Sequence, residues 1–171
     1  MPSSRYQVIP LVLDLVVSIQ PKSILDCGIG FGKYGVLFRE YLDVWKTDKP
    51  FQERVTRIDG VEAFAEYENS VWKAYDTVHI GDIITLLPEL TKVKYDLLFM
   101  GDVIEHFDKE EAKKLLGALN YKHIIIVTPF QVLDQKAVYD NTYEIHKSEW
   151  RHQDLPDFEL KIVGNQQIFW K

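Results

Sequence analysis

The sequence contains a single cysteine, Cys27, so no intrachain disulfide can form, which suits a reducing, cytoplasmic setting. It lacks a basic excess: 20 Lys and Arg stand against 26 Asp and Glu, a net charge of -6. Proteins that grip phosphate backbones usually carry the opposite sign, so nucleic acid is not an expected partner. No early apolar run is long enough for a bilayer. The stretch from Val8 to Ile19 is too short, holds Pro10 and is interrupted by Asp14. Arg5 alone does not make a basic n-region and no A-x-A-like exit follows, so no signal peptide is expected. No Cys/His spacing of a metal site occurs, and His79, His123 and His152 are isolated. Repeats, low-complexity tracts and linkers are absent too, so residues 1–171 are expected to form one domain.

What is present is a globular balance, 46% hydrophobic and 27% charged. A chain of this length can bury roughly 70% of its extended surface, enough to fold without a disulfide or structural metal. Val8 to Ile19 reads as an amphipathic helix, with Ile9, Leu13, Val16 and Val17 facing the core and Leu11, Leu15 and Ile19 widening that face. Pro21 stops it. Strands are expected at 23–26, 54–61, 77–80, 95–100 and 123–127. Helices are expected at 33–41 (Val36, Leu37 and Tyr41 on one side), 63–74, 83–90 and 109–119, the last capped by Asp108. Residues 43–53, with Pro50, read as a surface loop. Strands written as continuous apolar runs, such as Ile124-Ile125-Ile126-Val127, are buried on both faces, as in parallel sheets. Strand and helix alternate five times, the mark of a doubly wound α/β sheet. After Thr128 the rhythm breaks. Ser148 to Leu155 reads as one or two helical turns capped by Ser148. Two strands, 158–163 and 167–170, then flank Gly164-Asn165 as an antiparallel hairpin.

Between the first strand and its helix lies Asp26-Cys27-Gly28-Ile29-Gly30-Phe31-Gly32. Glycines there let a ligand approach the backbone where a Cβ would block it, at the strand ends where open α/β sheets bind ligands. The overlapping Gly30-Phe31-Gly32-Lys33-Tyr34-Gly35 also satisfies the dinucleotide fingerprint. Further acids follow the next strands: Asp59 and Glu62, then Gly81-Asp82, then Asp102-Val103-Ile104-Glu105-His106. Together with Thr128-Pro129 these segments, spanning Ile24 to Pro129, resemble the class I S-adenosylmethionine-dependent methyltransferases, in particular their type 11/12-like small-molecule branch. The resemblance implies a mostly parallel, seven-stranded, Rossmann-like sheet ending in an antiparallel hairpin. It also implies S-adenosyl-L-methionine as cofactor and methyl transfer to a small-molecule oxygen, nitrogen or carbon. Carried over residue by residue, Gly28, Gly30 and Gly32 would face the methionine part, with Asp26 beside them and Asp102 bordering the same site. Glu62, in competition with Asp59, would bind the ribose, and Asp82 with Ile83 the adenine. Ser4-Arg5-Tyr6 could fold over the cofactor.

Three roles are open for Glu105 and His106: general base or substrate contact, ligands of a divalent metal together with Asp102, or a cap on the turn into the next helix. The catalytic assignment falls on His106 and Glu105, and no metal is assigned. Tyr143, His146 and Trp150 are candidates for the acceptor side, and Cys27 reads as packing. Met100-Gly101-Asp102-Val103 stands where base-modifying DNA methyltransferases carry an N-P-P-Y type motif, which again points away from nucleic acid. Two other functions fit the pattern less well. An NAD-dependent oxidoreductase would leave Asp26 without a role, and a non-catalytic or partner-completed cofactor-binding protein remains compatible with the short chain after the fifth strand.

Overall fold

The computed structural model describes residues 4–45, 53–131 and 135–171. Seven strands form one sheet: β1 (Ser23–Cys27), β2 (Arg57–Glu62), β3 (Thr77–Ile80), β4 (Tyr95–Gly101), β5 (Tyr121–Pro129), β6 (Glu159–Val163) and β7 (Gln166–Trp170). Their order is β3-β2-β1-β4-β5-β7-β6. β1 to β5 are parallel, and β7 runs antiparallel to both its neighbours. The helices are α1 (Ile9–Ile19), α2 (Lys33–Arg39), α3 (Ile83–Leu90) and α4 (Lys109–Ala118). The chain reverses its direction of travel across the sheet between β1 and β4, and that reversal opens a crevice at the strands' carboxyl ends.

The apolar runs divide strictly by parity. Ile24, Ile58, Leu97, Phe99, Ile125, Val127 and Ile168 point to the face covered by α1 and α2. Leu25, Cys27, Val61, Leu98, Met100, Ile124, Ile126 and Phe169 point to the other, under α3, α4 and Trp150. Each such side chain stabilises the fold by about 1.5–3 kcal/mol when fully buried, and two filled faces explain why the strands do not alternate with polar residues.

Several helical expectations shift. The buried edge of α1 is Val8, Val12 and Val16, spaced by four, while Ile9, Leu13 and Val17 only flank it. The helix stops at Ile19, and Gln20 takes a left-handed conformation (φ 55) before Pro21. In α2 the buried side is Tyr34, Gly35, Phe38 and Arg39, and Val36 is exposed. A π-helical turn, Glu40–Val44, continues from it. There Asp43, which the sequence placed in a loop, is buried and pairs with Arg39 at 2.5 Å. Arg39 itself is fully buried and also donates to the Thr56 and Ala74 carbonyls. Pro50 and the rest of the expected loop through residue 52 lie outside the described residues.

The helix expected over 63–74 is replaced by two 3-10 turns, Ala65–Tyr67 and Ser70–Ala74, the second capped by the Asn69 side chain. Asp108 holds the N-cap position of α4 but makes no side-chain cap bond. The Ser148 hydroxyl accepts from the Trp150 indole instead of capping a helix, and only the short turn His152–Asp154 forms nearby.

Tyr75 follows the second 3-10 turn and lies across α2. Its hydroxyl accepts from Gly35 N at 3.0 Å and donates to Asp26 Oδ2 at 2.6 Å. A Cβ on Gly35 would meet the Tyr75 ring at 2.4 Å. Gly35→Ala therefore forces the ring away and breaks both bonds. Urea denaturation should show a loss of about 1–3 kcal/mol or more, as overpacking does in well-filled cores; an unchanged midpoint would mean the ring has room to move.

Candidate functional site

The crevice deepens into a cavity of about 480 Å³. Its walls come from the loops after β1, β2, β3 and β4 and from Asn141–Ile145. The first wall is Gly28-Ile29-Gly30. Gly28 has φ 70, and a Cβ there would strike Val103 Cγ2 at 2.3 Å, so only glycine lets the loop pass this close to the β4 turn. Gly28 N and Ile29 N both donate to the Val61 carbonyl, at 2.8 and 3.1 Å, which fixes the loop to the end of β2. Gly32 does not line the cavity. A Cβ on it would point at Val71, Trp72 and Tyr75, so its place is in packing.

Glu62 ends β2 and borders the cavity. Gly30 N donates to its Oε2 at 2.8 Å and Phe64 N to its Oε1 at 3.0 Å. Each oxygen keeps lone pairs for a further donor. Burial raises the Glu62 pKa, and the two backbone N–H groups oppose that rise. Asp59, its competitor, is fully buried and bound by Arg57 at 2.6 Å and Tyr95 at 2.7 Å, away from the cavity. Asp82 and Ile83 also line the space; Asp82 Oδ1 accepts from Ile84 N at 2.8 Å and so caps α3.

Asp26 sits behind the glycine loop rather than on the cavity surface. Burial pushes its pKa up to about 7, the Tyr75 hydroxyl opposing and the charge of Glu62 adding. Asp102 stands at the cavity with a left-handed backbone (φ 57). Gln166 Nε2 on β7 donates to its Oδ1 at 2.9 Å, while Oδ2 is buried without a hydrogen-bond partner. Burial raises this pKa as well. Lys33, which the sequence reading passed over, lines the same corner and donates to the Ser4 carbonyl at 2.6 Å. Ser4 thus closes one side, whereas Arg5 and Tyr6 are exposed.

His106 faces the cavity, and its Nδ1 lies 3.2 Å from the Ile145 carbonyl. Burial lowers its pKa below the ordinary histidine value, the carbonyl partly offsetting this. Glu105 is 2% exposed and does not line the cavity. Thr128 donates to its Oε2 at 2.9 Å, and Oε1 has no partner. Burial and the neighbouring Asp102 hold its pKa well above the carboxylate range. Tyr143 is 48% exposed at the cavity rim. His146 stacks obliquely beside His106, ring centroids 5.1 Å apart, a pairing 40 positions apart in sequence that no local spacing could reveal. Trp150 corrects its expectation: it is fully buried in the core under β4 and donates to the Ile104 carbonyl, outside the cavity.

Two further lining residues went unread, Tyr67 and Asn141, and Glu144 joins them. The Tyr67 hydroxyl donates to Glu144 Oε1 at 3.0 Å and accepts from Asn141 Nδ2 at 3.2 Å. Only the density of acids and aromatics after β5 hinted at this wall.

No protein-family model matches the sequence, and no curated protein matches it. Solved structures do. A methyltransferase from Geobacter sulfurreducens aligns at TM-score 0.63 and 17% identity over 99% of this chain and 80% of its own. The N-terminal domain of EvdMO1, crystallised in the presence of SAH and D-fucose, aligns at 0.62 and 15% over 98% and 82%. The 16S rRNA methylase RmtB aligns at 0.60 and 14% over 97% and 62%. Against two other matching methyltransferase structures the chain spans about half of their length, 54% and 55%.

The buried Asp26 has a consequence for stability. Its folded pKa near 7 lies above the unfolded value of 3.8, so the stability that its neutral form contributes is present below pH 3.8 and is lost as pH rises through about 7. Above pH 7 ionising it costs about 4 kcal/mol. Asp26→Asn should melt close to the parent at pH 4 and gain on it progressively toward pH 8. A gap that stays constant across that range would mean that Asp26 is already charged at low pH. The strand order, the glycine loop and the structural matches agree that this chain has the fold of the class I S-adenosylmethionine-dependent methyltransferases.

Proposed function

We propose that the chain is an S-adenosylmethionine-dependent methyltransferase acting on a small-molecule acceptor. The observation that carries this reading is the convergence of Gly28-Ile29-Gly30, Glu62, Asp82-Ile83 and Asp102 on one cavity of about 480 Å³. The residues fit such a cofactor. Gly28 leaves a cradle that a Cβ would fill, and Asp102 Oδ2 is a buried acceptor in want of a donor. The walls are rich in carboxylates, namely Glu62, Asp82, Asp102, Glu111 and Glu144, against Lys33 and Lys147, which favours a cationic ligand over a dinucleotide pyrophosphate.

When bound, the cofactor supplies a methyl group on a positively charged sulfur that is already a good leaving group. Glu62 accepts hydrogen bonds from the ribose hydroxyls on the lone pairs that Gly30 and Phe64 leave open. Asp82 and Ile83 hold the adenine, and Gly28 and Gly30 let the methionine part approach the backbone. The acceptor enters beside His106, Tyr143 and Ile145. With no cation bound there, the acceptor's hydroxyl or amine proton would pass to His106 Nε2, on an imidazole whose pKa burial lowers. The rest of the task is proximity and exclusion of water, which Asn141–Ile145 serve by covering the space. The limited volume and the net charge of -6 support a small acceptor over a nucleic acid.

Calorimetric titration with S-adenosylhomocysteine, run beside NAD, tests the reading. Binding of the first alone near 1 μM, about -8 kcal/mol, is expected. NAD binding alone would overturn it, and binding of neither would leave a partner-completed or non-catalytic protein. Glu62→Gln should weaken S-adenosylhomocysteine by about 1.5–3 kcal/mol, roughly 10- to 100-fold, because a charged acceptor is lost. Unchanged affinity would remove Glu62 from the ribose.

A further inference from the structure

Past β4, three side chains from two segments meet at the cavity edge. Glu105, His106 and His146 each offer one ligand atom, and these atoms all lie within 4.8 Å of one another. Neither sequence neighbourhood has the spacing of a metal motif; the fold makes the group by docking the segment that carries His146 onto Glu105. Lys147 N and Ser148 N both donate to the Glu105 carbonyl, at 2.8 and 3.1 Å.

The outer contacts are those that metal ligands use. The Ile145 carbonyl can only accept, so the 3.2 Å contact puts the hydrogen on His106 Nδ1 and turns a lone pair outward from Nε2. Thr128 orients Glu105 through Oε2 and leaves Oε1, in a side chain 2% exposed, without a hydrogen-bond partner. A buried carboxylate oxygen with no donor costs free energy unless something positive meets it. The two imidazoles stand on the same side, centroids 5.1 Å apart.

We infer that Glu105, His106 and His146 bind a divalent first-row transition-metal ion at the acceptor end of the cavity. Two nitrogens and one carboxylate favour Mn²⁺, Fe²⁺, Co²⁺ or Zn²⁺ over Ca²⁺ and Mg²⁺. Bonds of about 2.0–2.2 Å draw the three donors closer together than their present limit, within reach of side-chain rotation. Three protein ligands leave coordination positions open. Because His106 also lines the cavity, an acceptor oxygen can take one of them.

This inference rests on the methyltransferase reading for its chemistry, and it narrows the acceptor to a hydroxyl. The cation lowers the hydroxyl's pKa, and the O–H bond breaks with the proton leaving to solvent water. The oxygen's electron pair forms the new bond to the methyl carbon, while the carbon–sulfur pair returns to sulfur. His106 then holds the cation rather than the proton.

The test is titration of the full chain, free of any histidine tag, with Co²⁺ followed by visible absorption, and with Mn²⁺ and Zn²⁺ by calorimetry. One equivalent should bind, with Ca²⁺ failing to compete. His146→Gln and His106→Gln should each weaken binding about tenfold or more while melting like the parent, and Tyr143→Phe should leave it unchanged. Absence of saturable binding, or binding that survives both histidine variants as an adventitious cation would, overturns the site. S-adenosylhomocysteine titrations on the same samples separate the two readings. Cofactor binding without metal binding defeats this inference alone, and metal binding without cofactor binding defeats the cofactor assignment alone.

Discussion

The phenol of Tyr75 is the contact around which the ligand loop is arranged. Its hydroxyl joins Gly35 of α2 to Asp26 of β1, and its ring occupies space that a side chain on Gly35 would need. An added Cβ would come within 2.4 Å of it from Gly35 and 3.0 Å from Gly60, where Ile29 is nearer still at 2.8 Å. One aromatic therefore bears on glycines in α2 and β2 that look unrelated in sequence. Trp72, one turn earlier, completes the arrangement by donating to the Gly30 carbonyl at 2.8 Å. The two residues clamp the loop from the side opposite the ligand. Gly32 packs behind the loop, and Gly28 and Gly30 line the cavity.

The clamp carries an electrostatic cost. Asp26, Glu62 and Glu105 are buried and Asp102 is half-buried, and burial raises the pKa of each. A core designed for stability alone would not gather four carboxyl groups where water solvates them poorly. Positive charge brought into the cavity would relieve the same cost, which is the physical ground for proposing a cationic ligand there. Lys33 lines the Asp102 corner; burial lowers its pKa while Asp102 opposes the drop, and its charge in turn offsets part of the rise at Asp102.

The legible parts of the sequence were those governed by one-dimensional pattern. Apolar runs located the strands, and Gly164 (φ 61) marked the terminal hairpin. Glycine and acid motifs at strand ends located Gly28, Gly30, Glu62, Asp82 and Asp102 on the cavity. Misreadings arose where tertiary contacts overrode local preference. Residues 63–74 have helical composition, yet Tyr67 and Trp72 are needed at the cavity and over the loop, and a continuous helix could not direct both there. α2 turns Tyr34 and Phe38 inward because they stack on Phe99, at 4.5 and 5.2 Å, which leaves Val36 outside. Trp150 was expected on the acceptor side, but it is fully buried in the core packed under β4. His146 could be paired with His106 only by the fold.

The two sides of the cavity are built by different means. The side of the glycine loop, Glu62 and Asp82 hangs from adjacent parallel strands, so its geometry follows from the sheet register. The other side, residues 135–148, has no regular secondary structure beyond one 3-10 turn and is held by individual bonds. Gln135 donates to the Glu144 carbonyl at 2.8 Å, His146 N to the Gln135 carbonyl at 3.2 Å, and Tyr67 to the Glu144 side chain. Each bond contributes about 1 kcal/mol, so the wall can be reshaped residue by residue without disturbing the sheet. Its one firm anchor is the Glu105 carbonyl, which accepts from Lys147 and Ser148. That anchor lies on the first turn after β4, so this wall is registered on a central strand of the sheet. The position of His106 relative to Glu62, by contrast, is set by β4 and β2 through β1.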